Sequence, residues 1–529
     1  MTHYPSTTAI DLPSSGDLNQ GRPTSHDSQH PRYAPCSLSY HLRTRPTDNR
    51  SSSTPVNLLD DDSLLIMFSF CRPVISVESA VLDHQILDGG EWNRERWWYR
   101  LIQVCRRWRY LVLDSAFHLQ VSLVCARGTP VAEMLAHSPP ALPLIVDHID
   151  KEYDVLTAED EEGIILALQH RDRVRRIRIR KSVSILQRLV IALDGEFPVL
   201  EHLSIDDRPF LRPYINYITN LNFPETFRAP HLRDLVLDNF VTPIDSPPLT
   251  TMGNLVTLWL TTIPSSGYFH PNDLLQWLSL LPQLETLGIA FHCYNPSRDA
   301  EIQLLRTPIK TRVTLPNLHW LILEGTNAYL EALLSWFTTP LLERLHFLFF
   351  NRMIYSIPHL RQFMNTARNL RPKIAMVTFY EDYLRVMGYS HKQGGLYTLS
   401  MGFGGKHLDW QVVSAAQIFH ELKTVFSAVE DLTFEYDRHY VSSEWNRQAD
   451  RSHWSELLGS FDKVKMLRVD SELVEQVSLV LQPSEGEPST ELFPELQELS
   501  YPTSSESRAF TLFIDARQKV GRPVTVNRF

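Results

Sequence analysis

The chain has 529 residues, and its 51 Lys and Arg against 61 Asp and Glu leave a net charge of −10. At about 150 residues per domain, that length means three or four globular units or one repeat array, which can lengthen without enlarging a central core. A hydrophobic fraction of 43% with 10% aromatics excludes wholesale disorder, and the mild acidity argues against a chain built to grip nucleic acid or anionic lipid.

Residues 1–54 are dominated by Ser, Thr, Pro, Asp, His and Arg. They hold too few apolar side chains to offset the roughly 1–2 kcal/mol per residue of backbone ordering, so a disordered tail is expected. The character changes at Val56. Asp60-Asp61-Asp62-Ser63 precedes Leu64-Leu65-Ile66-Met67-Phe68. An aspartate caps free helix amides and its neighbours suit the positive helix end, so a helix starts here with Leu64, Leu65 and Phe68 as its apolar stripe. After a variable stretch, the apolar residues Trp97/Trp98, Leu101, Val104/Cys105, Trp108 and Leu111/Val112 recur at helical spacing. One long helix or two short ones with a break near Cys105 both fit. Residues 55–118 therefore form a small helical module.

From about residue 165 to the C-terminus another signal takes over, and it repeats. Leu200-x-x-Leu203-x-Ile205 returns as Leu232-x-x-Leu235-x-Leu237, Leu255-x-x-Leu258-x-Leu260, Leu284-x-x-Leu287-x-Ile289, Leu318-x-x-Leu321-x-Leu323 and Leu342-x-x-Leu345-x-Phe347. Val464-x-x-Leu467-x-Val469 and Leu496-x-x-Leu499-x-Tyr501 repeat it late in the chain. Weaker copies begin at Val174, Ile374, Leu396 and Val429. A proline stands two residues before the first leucine in many copies, as Pro198, Pro230, Pro282, Pro316, Pro340 and Pro494. This pattern is a turn entering a short strand with alternating inward side chains. One unit cannot bury its apolar face alone, and a stack of them can. Amphipathic stretches such as Asn272 to Leu281 and Leu330 to Phe337 supply the outer helices. The expected fold class is α/β, a helical module followed by an irregular leucine-rich-repeat-like solenoid, or horseshoe, over residues 119–529.

Val56-Asn57-Leu58-Leu59-Asp60-Asp61-Asp62-Ser63-Leu64-Leu65-Ile66-Met67-Phe68, and then Leu101-x-x-Val104-Cys105-Arg106-x-Trp108-x-x-Leu111, resemble the two halves of an F-box. With the repeats behind them, the chain resembles the F-box/leucine-rich-repeat family, in the form expanded among mushroom-forming fungi. It departs from the family in two places. Asp60 stands where the family has proline, and the stretch from Cys71 to Arg96 is longer than usual, an insertion that costs little in a surface loop. The resemblance implies a substrate receptor of a Skp–cullin–F-box ubiquitin ligase. The F-box would dock a Skp-type adaptor, which leads to the cullin–RING assembly, and the repeats would hold the target protein. The chain itself would make and break no bond, and would raise the effective concentration of a target lysine near the charged thioester.

On that reading the adaptor-facing residues are Leu59, Leu64, Leu65 and Phe68 with Val104, Cys105, Trp108 and Leu111. The alternative for each is that it faces the module's own core or the first repeat. Target binding falls to side chains between the inward leucines, on the concave sheet face: Arg176, Arg178, Trp259, Trp320, Arg344, His346 and Arg468, several of them of hot-spot type. Alternation puts Arg176, Arg178 and Arg180 on one strand face, able to read an acidic or phosphorylated motif or else simply solvated. The runner-up function is a leucine-rich-repeat scaffold with a degenerate F-box and no ligase role.

Signatures of catalysis are poor. Gly402-x-Gly404-Gly405-Lys406 departs from a phosphate loop at Ser400 and His407, and His420-Glu421 lacks the second zinc-ligand histidine, Thr424 standing there. No enzyme activity, cofactor or metal is expected. The cysteines (Cys36, Cys71, Cys105, Cys125, Cys293) form no C-x-x-C pair, which fits a reducing compartment. No apolar run of about 18 residues lacks charge and no secretory leader opens the chain, so a cytoplasmic or nuclear location is expected, with neither nucleic acid nor membrane as partner.

Overall fold

Each leucine repeat is built around a turn. The amide of the first leucine donates to the carbonyl three residues back, at 3.1–3.4 Å, in the pairs Leu200–Phe197, Leu232–Ala229, Leu284–Leu281, Leu318–Leu315, Leu342–Thr339 and Leu496–Phe493. The proline between them occupies the second turn position, where its locked φ is already correct. The next residue then hydrogen-bonds its counterpart one repeat earlier. Arg233 N reaches Glu201 O at 2.8 Å, Val256 N reaches Arg233 O at 2.8 Å and Glu285 N reaches Val256 O at 2.8 Å. Turn and ladder together set the register of the strand that follows.

The computed structural model describes residues 59–73, 96–149, 156–206, 221–264, 267–292, 308–350, 356–381, 383–391, 397–405, 407–437, 449–482, 492–503 and 510–529. The stretch read as a tail, 1–54, lies outside them, as does most of the stretch read as an insertion. Asp60 to Phe529 form one compact unit.

A single sheet of sixteen strands runs through that unit. Its strands are β1 (Leu123–Cys125), β2 (Leu144–Ile149), β3 (Val174–Arg180), β4 (His202–Asp206), β5 (Asp234–Asp238), β6 (Thr257–Ile263), β7 (Thr286–Phe291) and β8 (Trp320–Gly325). They continue with β9 (Arg344–Phe349), β10 (Ile374–Phe379), β11 (Tyr383–Tyr389), β12 (Leu399–Gly404), β13 (Asp431–Tyr436), β14 (Met466–Val469), β15 (Glu498–Tyr501) and β16 (Thr525–Arg528). Neighbours in sequence are neighbours in space except in one place, where the order reads β9-β12-β11-β10-β13. There β11 runs antiparallel to both β10 and β12, and every other pairing in the sheet is parallel. Serial parallel strands joined by right-handed connections put every connection on the same face of the sheet. That arrangement is a leucine-rich-repeat-like solenoid with a long, mostly parallel sheet.

Burial follows the repeat. Leu203, Leu235, Leu258, Leu287, Leu321 and Leu345 are 0–1% exposed and point toward the connections. The helices there include α3 (Val131–His137), α4 (Ala158–Gln169), α5 (Val183–Val190), α6 (Pro271–Leu278), α7 (Asn327–Leu334), α8 (Pro358–Thr366), α9 (Leu408–Glu421), α10 (Arg451–Leu458), α11 (Val474–Leu481) and α12 (Thr511–Lys519), numbered after the two helices of the module. β11 carries no repeat signature because it enters through a hairpin, Tyr380 N to Tyr383 O at 2.9 Å with the two rings stacked at 4.1 Å, and not through a proline turn.

The module before the sheet consists of α1 (Asp61–Phe70), a single turn at Tyr99–Ile102, and α2 (Arg106–Asp114). The break near Cys105 is real, and Cys105 itself caps α2, its Sγ accepting from Trp108 N at 3.5 Å. Phe68 packs edge-on against Trp108 at 4.7 Å, and Arg107 pairs with Asp61 at 2.7 Å. Trp98, 2% exposed, donates from its indole to the Ser122 carbonyl at 3.2 Å and fastens the module to the first repeat.

Candidate functional site

Two surfaces offer themselves for binding: the outside of the module and the sheet face away from the helices. On the module, Asp60 starts α1 by accepting from Ser63 N at 2.6 Å. That bond and one from the Ser63 side chain hold the Asp60 carboxyl below the usual carboxylate range. Asp60 thus does a helix-starting task of its own.

Of the residues read as adaptor-facing, Leu64 and Phe68 are 0% and 1% exposed and belong to the module's core. Leu65, Trp108 and Leu111 are half-buried, Val104 and Cys105 are exposed, and Leu59, half-buried, is the first described residue. The sequence reading passed over a second set. Ile66, Met67, Phe70, Val104, Tyr110 and Phe117 are 57%, 47%, 83%, 60%, 75% and 89% exposed, and of these only Val104 had been singled out. A signal for Ile66, Met67 and Phe70 existed: the second half of α1 is apolar almost all round, which in a helix covered on only one side leaves side chains in water.

The open face of the sheet brings the residues read as target-binding into two rows. Arg178, Ser204, Val236, Trp259, Gly288, Ile322, His346, Ser400, Met387, Met376, Thr433 and Arg468 are successive Cα partners across the sheet. Two residues earlier on each strand, Arg176, His202, Asp234, Thr257, Thr286, Trp320 and Arg344 do the same. At about 4.8 Å per strand, Arg178 and Arg468 are roughly 50 Å apart along the sheet. No small ligand spans that row; a protein surface does.

The rows have three zones. Toward the module, charges are paired: Arg178 with Asp147 at 3.0 Å, Arg180 with Asp206 at 3.2 Å, Arg175 with Glu201 at 2.9 Å and His202 with Asp234 at 2.5 Å. Burial pushes the Asp234 carboxyl up, but the hydrogen bond and charge of His202 outweigh it and hold the group below the ordinary range. The basic strand that sequence alternation put on one face does lie there, with Arg178 and Arg180 held by carboxylates. In the middle the floor is apolar, made of Val236, Trp259, Trp320 and Ile322 at 7–8% exposure. The two indoles meet edge to face at 5.3 Å. Gly288 makes room for this, since a Cβ there would come within 3.3 Å of the Trp259 ring. The glycine stood in plain sight inside Leu284-x-x-Leu287-Gly288-Ile289.

Beyond the tryptophans the face becomes polar and charged again. The Arg344 guanidinium lies 5.8 Å from the Trp320 ring centre, and His346 Nε2 stands 3.4 Å from Glu324 Oε1. Burial raises the Tyr397 and Tyr389 phenols, and raises the Glu435 carboxyl against the pull of Arg468. Arg468 is exposed, its guanidinium 4.1 Å above the Phe529 ring.

Among the described residues no group of three or more His, Cys, Asp or Glu converges as a metal site would require. Gly402 and Gly404 lie inside strand β12, with the Leu348 side chain occupying the space a Gly402 side chain would need. Glu421 ends α9 in an ion pair with Arg361 at 3.1 Å. No described helix is long and apolar enough to cross a membrane.

No protein-family profile matches the chain, and no curated protein does. Among solved structures the chain is similar to the leucine-rich repeat-containing protein LegL7 from Legionella pneumophila, at 11% identity over 76% of this chain and 98% of that one, with a TM-score of 0.26. The repeat architecture assigned above rests on the strand ladder itself.

Proposed function

We propose that this leucine-rich-repeat-like protein is the target-binding receptor of a Skp–cullin–F-box ubiquitin ligase, its helical module docking the adaptor and the open face of its sheet holding the target. The observation that carries the reading is the set of large apolar side chains that α1, α2 and the turns beside them leave in water, Phe70 and Phe117 above all. Apolar anchors on a helix pair are a common way to fill a partner's groove, and a module this small buries too little of its own surface to do without a neighbour. On this reading the adaptor meets Val104, Cys105 and the half-buried Leu65, Trp108 and Leu111, joined by Ile66, Met67 and Phe70, while Leu64 and Phe68 hold α1 against α2. Trp259, Trp320, Arg344, His346 and Arg468, with Arg176 and Arg178, line the target side.

Co-purification with the host's Skp-type adaptor tests the proposal. A stoichiometric complex that also recruits the cullin supports it. A folded chain that captures no adaptor selects the second reading, a protein-binding scaffold with a degenerate F-box, for which Asp60 in place of proline speaks.

A further inference from the structure

On the open face of the sheet, Arg178 and Arg180 near the module are paired with carboxylates. Farther along, Arg344 on β9 and Arg385 on β11 are half-buried, with β12 between them, and neither makes an ion pair among the described residues. Each is held by a neutral neighbour instead. The Arg344 guanidinium lies 5.8 Å from the Trp320 ring centre, and Arg385 Nε donates to Ser400 Oγ at 3.5 Å. Tyr397 stands just before β12. Burial raises its phenol and both guanidiniums pull it down, so the two charges bear on one region. The Glu324 carboxylate acts on Tyr397 as well, and it stands 3.4 Å from His346.

Two half-dehydrated guanidiniums without a counter-charge favour an anion, and their forks of N–H groups match a carboxylate in bidentate fashion. With His346 neutral, Glu324 offsets one of the two charges, and the single positive charge that remains suits a carboxylate better than a phosphate dianion. Beside the arginines lies the apolar floor, where the Trp259 and Trp320 indoles meet at 5.3 Å. At about 4.8 Å per strand, this pair, centred on β7, lies roughly 10 Å from Arg344 and roughly 14 Å from the midpoint of the two arginines, about three or four residues of extended chain. We infer that the open face reads a target segment bearing an aspartate or glutamate, its carboxylate received by Arg344 and Arg385, about three or four residues from a large apolar side chain seated on the Trp259–Trp320 floor. The inference rests on the open face being the target side, and not on the ligase role.

The test is fluorescence anisotropy of the full chain with fluorescein-labelled, C-terminally amidated peptides of Ser and Gly that carry one Trp and, one to six residues away, Glu, Gln, Lys or phosphoserine. Saturable 1:1 binding is expected, tightest for Glu three or four residues from the Trp, severalfold weaker for Gln and at least tenfold weaker for Lys at the same place. The double variant Arg344→Gln, Arg385→Gln should bind the Glu and Lys peptides alike, with the Trp still required and hydrogen exchange as in wild type. Arg385→Gln alone leaves the Trp320 contact in place, should narrow the preference for Glu severalfold, and serves if the double variant does not fold. Arg361→Gln, at an exposed ion pair with Glu421 among the helices, should change nothing. No saturable binding, Lys bound as well as Glu, a preference indifferent to spacing, or one retained by a folded double variant overturns the inference. Phosphoserine bound tenfold better than Glu overturns the carboxylate and assigns the site to a phosphorylated target. The peptides are read at the sheet and the adaptor at the module, so the two failures are distinct: adaptor bound without peptide preference removes this inference alone, and peptide preference without adaptor removes the ligase alone.

Discussion

Helix α8 starts without a cap of its own. Its N-cap residue is Ile357, whose side chain accepts nothing, and Pro358 follows. The acceptor comes from the preceding repeat: Glu331 on α7, 8% exposed, takes His359 N at 2.9 Å and Leu360 N at 3.0 Å. Replacing Glu331 by Ala removes a cap worth about 1 kcal/mol and leaves the buried Leu360 amide unsatisfied, for roughly a further 1–3 kcal/mol. The expected loss of about 2–4 kcal/mol is confined to the α7–α8 neighbourhood, because repeats couple mainly to their neighbours. Amide hydrogen exchange resolves this, and protection across Pro358–Thr366 should fall by roughly 30- to 1,000-fold while β1 to β5 are unchanged. Burial raises the Glu331 carboxyl above its ordinary value, although both amides pull the other way. The native state therefore holds that proton more tightly than the unfolded chain does. The corresponding stability is complete below the ordinary Glu value and is lost as pH rises through the raised one. Glu331→Gln lacks this titration, so the advantage of wild type over Glu331→Gln should shrink as pH rises above the ordinary Glu value. Unchanged exchange across α8 in Glu331→Ala would refute the reasoning.

Three further outcomes follow from the packing. Gly288→Val drives a side chain into the Trp259 ring and should cost about 1–3 kcal/mol by overpacking, seen as a lower urea midpoint with altered tryptophan emission. Asp206→Asn removes the negative charge paired with Arg180, whose side chain is 5% exposed, and should cost about 3–5 kcal/mol in the same assay, whereas breaking an exposed pair such as Lys465–Glu430 should cost under about 1 kcal/mol. Burial pushes the Cys125 thiol up to about 12, so iodoacetamide near neutral pH should label Cys71 and Cys105 and leave Cys125 untouched in the native chain, as read by peptide mass mapping.

Much of the fold was legible because the repeat carries its physics locally. A proline presets a turn, the first leucine closes it, and the next two apolar residues point inward, so the strands at Leu203, Leu235, Leu258, Leu287, Leu321 and Leu345 could be read one by one. What lacks that local device was not legible. β11 enters by a hairpin, the short β16 follows Gly521 and Pro523 without any leucine pattern, and the reversed order of β10 to β12 is set by long-range pairing. The open face was half legible. Alternation named the residues that face it, and register, which no single strand encodes, aligned Arg178, Trp259, His346 and Arg468 in one row. In the module, Leu64, Leu65 and Phe68 were readable as a stripe, but the side on which a partner helix covers α1 was not. That depends on Trp108, some forty residues on, and it puts Phe68 inside and Phe70 outside.

The distinction makes the decisive measurement simple. Leu64→Asp, Phe68→Asp would bury two charges in the module's core and unfold it, so loss of adaptor in that variant says nothing about docking. Met67→Asp, Phe70→Asp changes only exposed positions and should leave the module's hydrogen exchange as in wild type. Both forms should be co-expressed with the Skp-type adaptor and compared by quantitative pull-down. The account predicts a stoichiometric complex for wild type and at least a tenfold loss for Met67→Asp, Phe70→Asp. A folded wild type that binds no adaptor, or a double variant that binds as well as wild type, would contradict it.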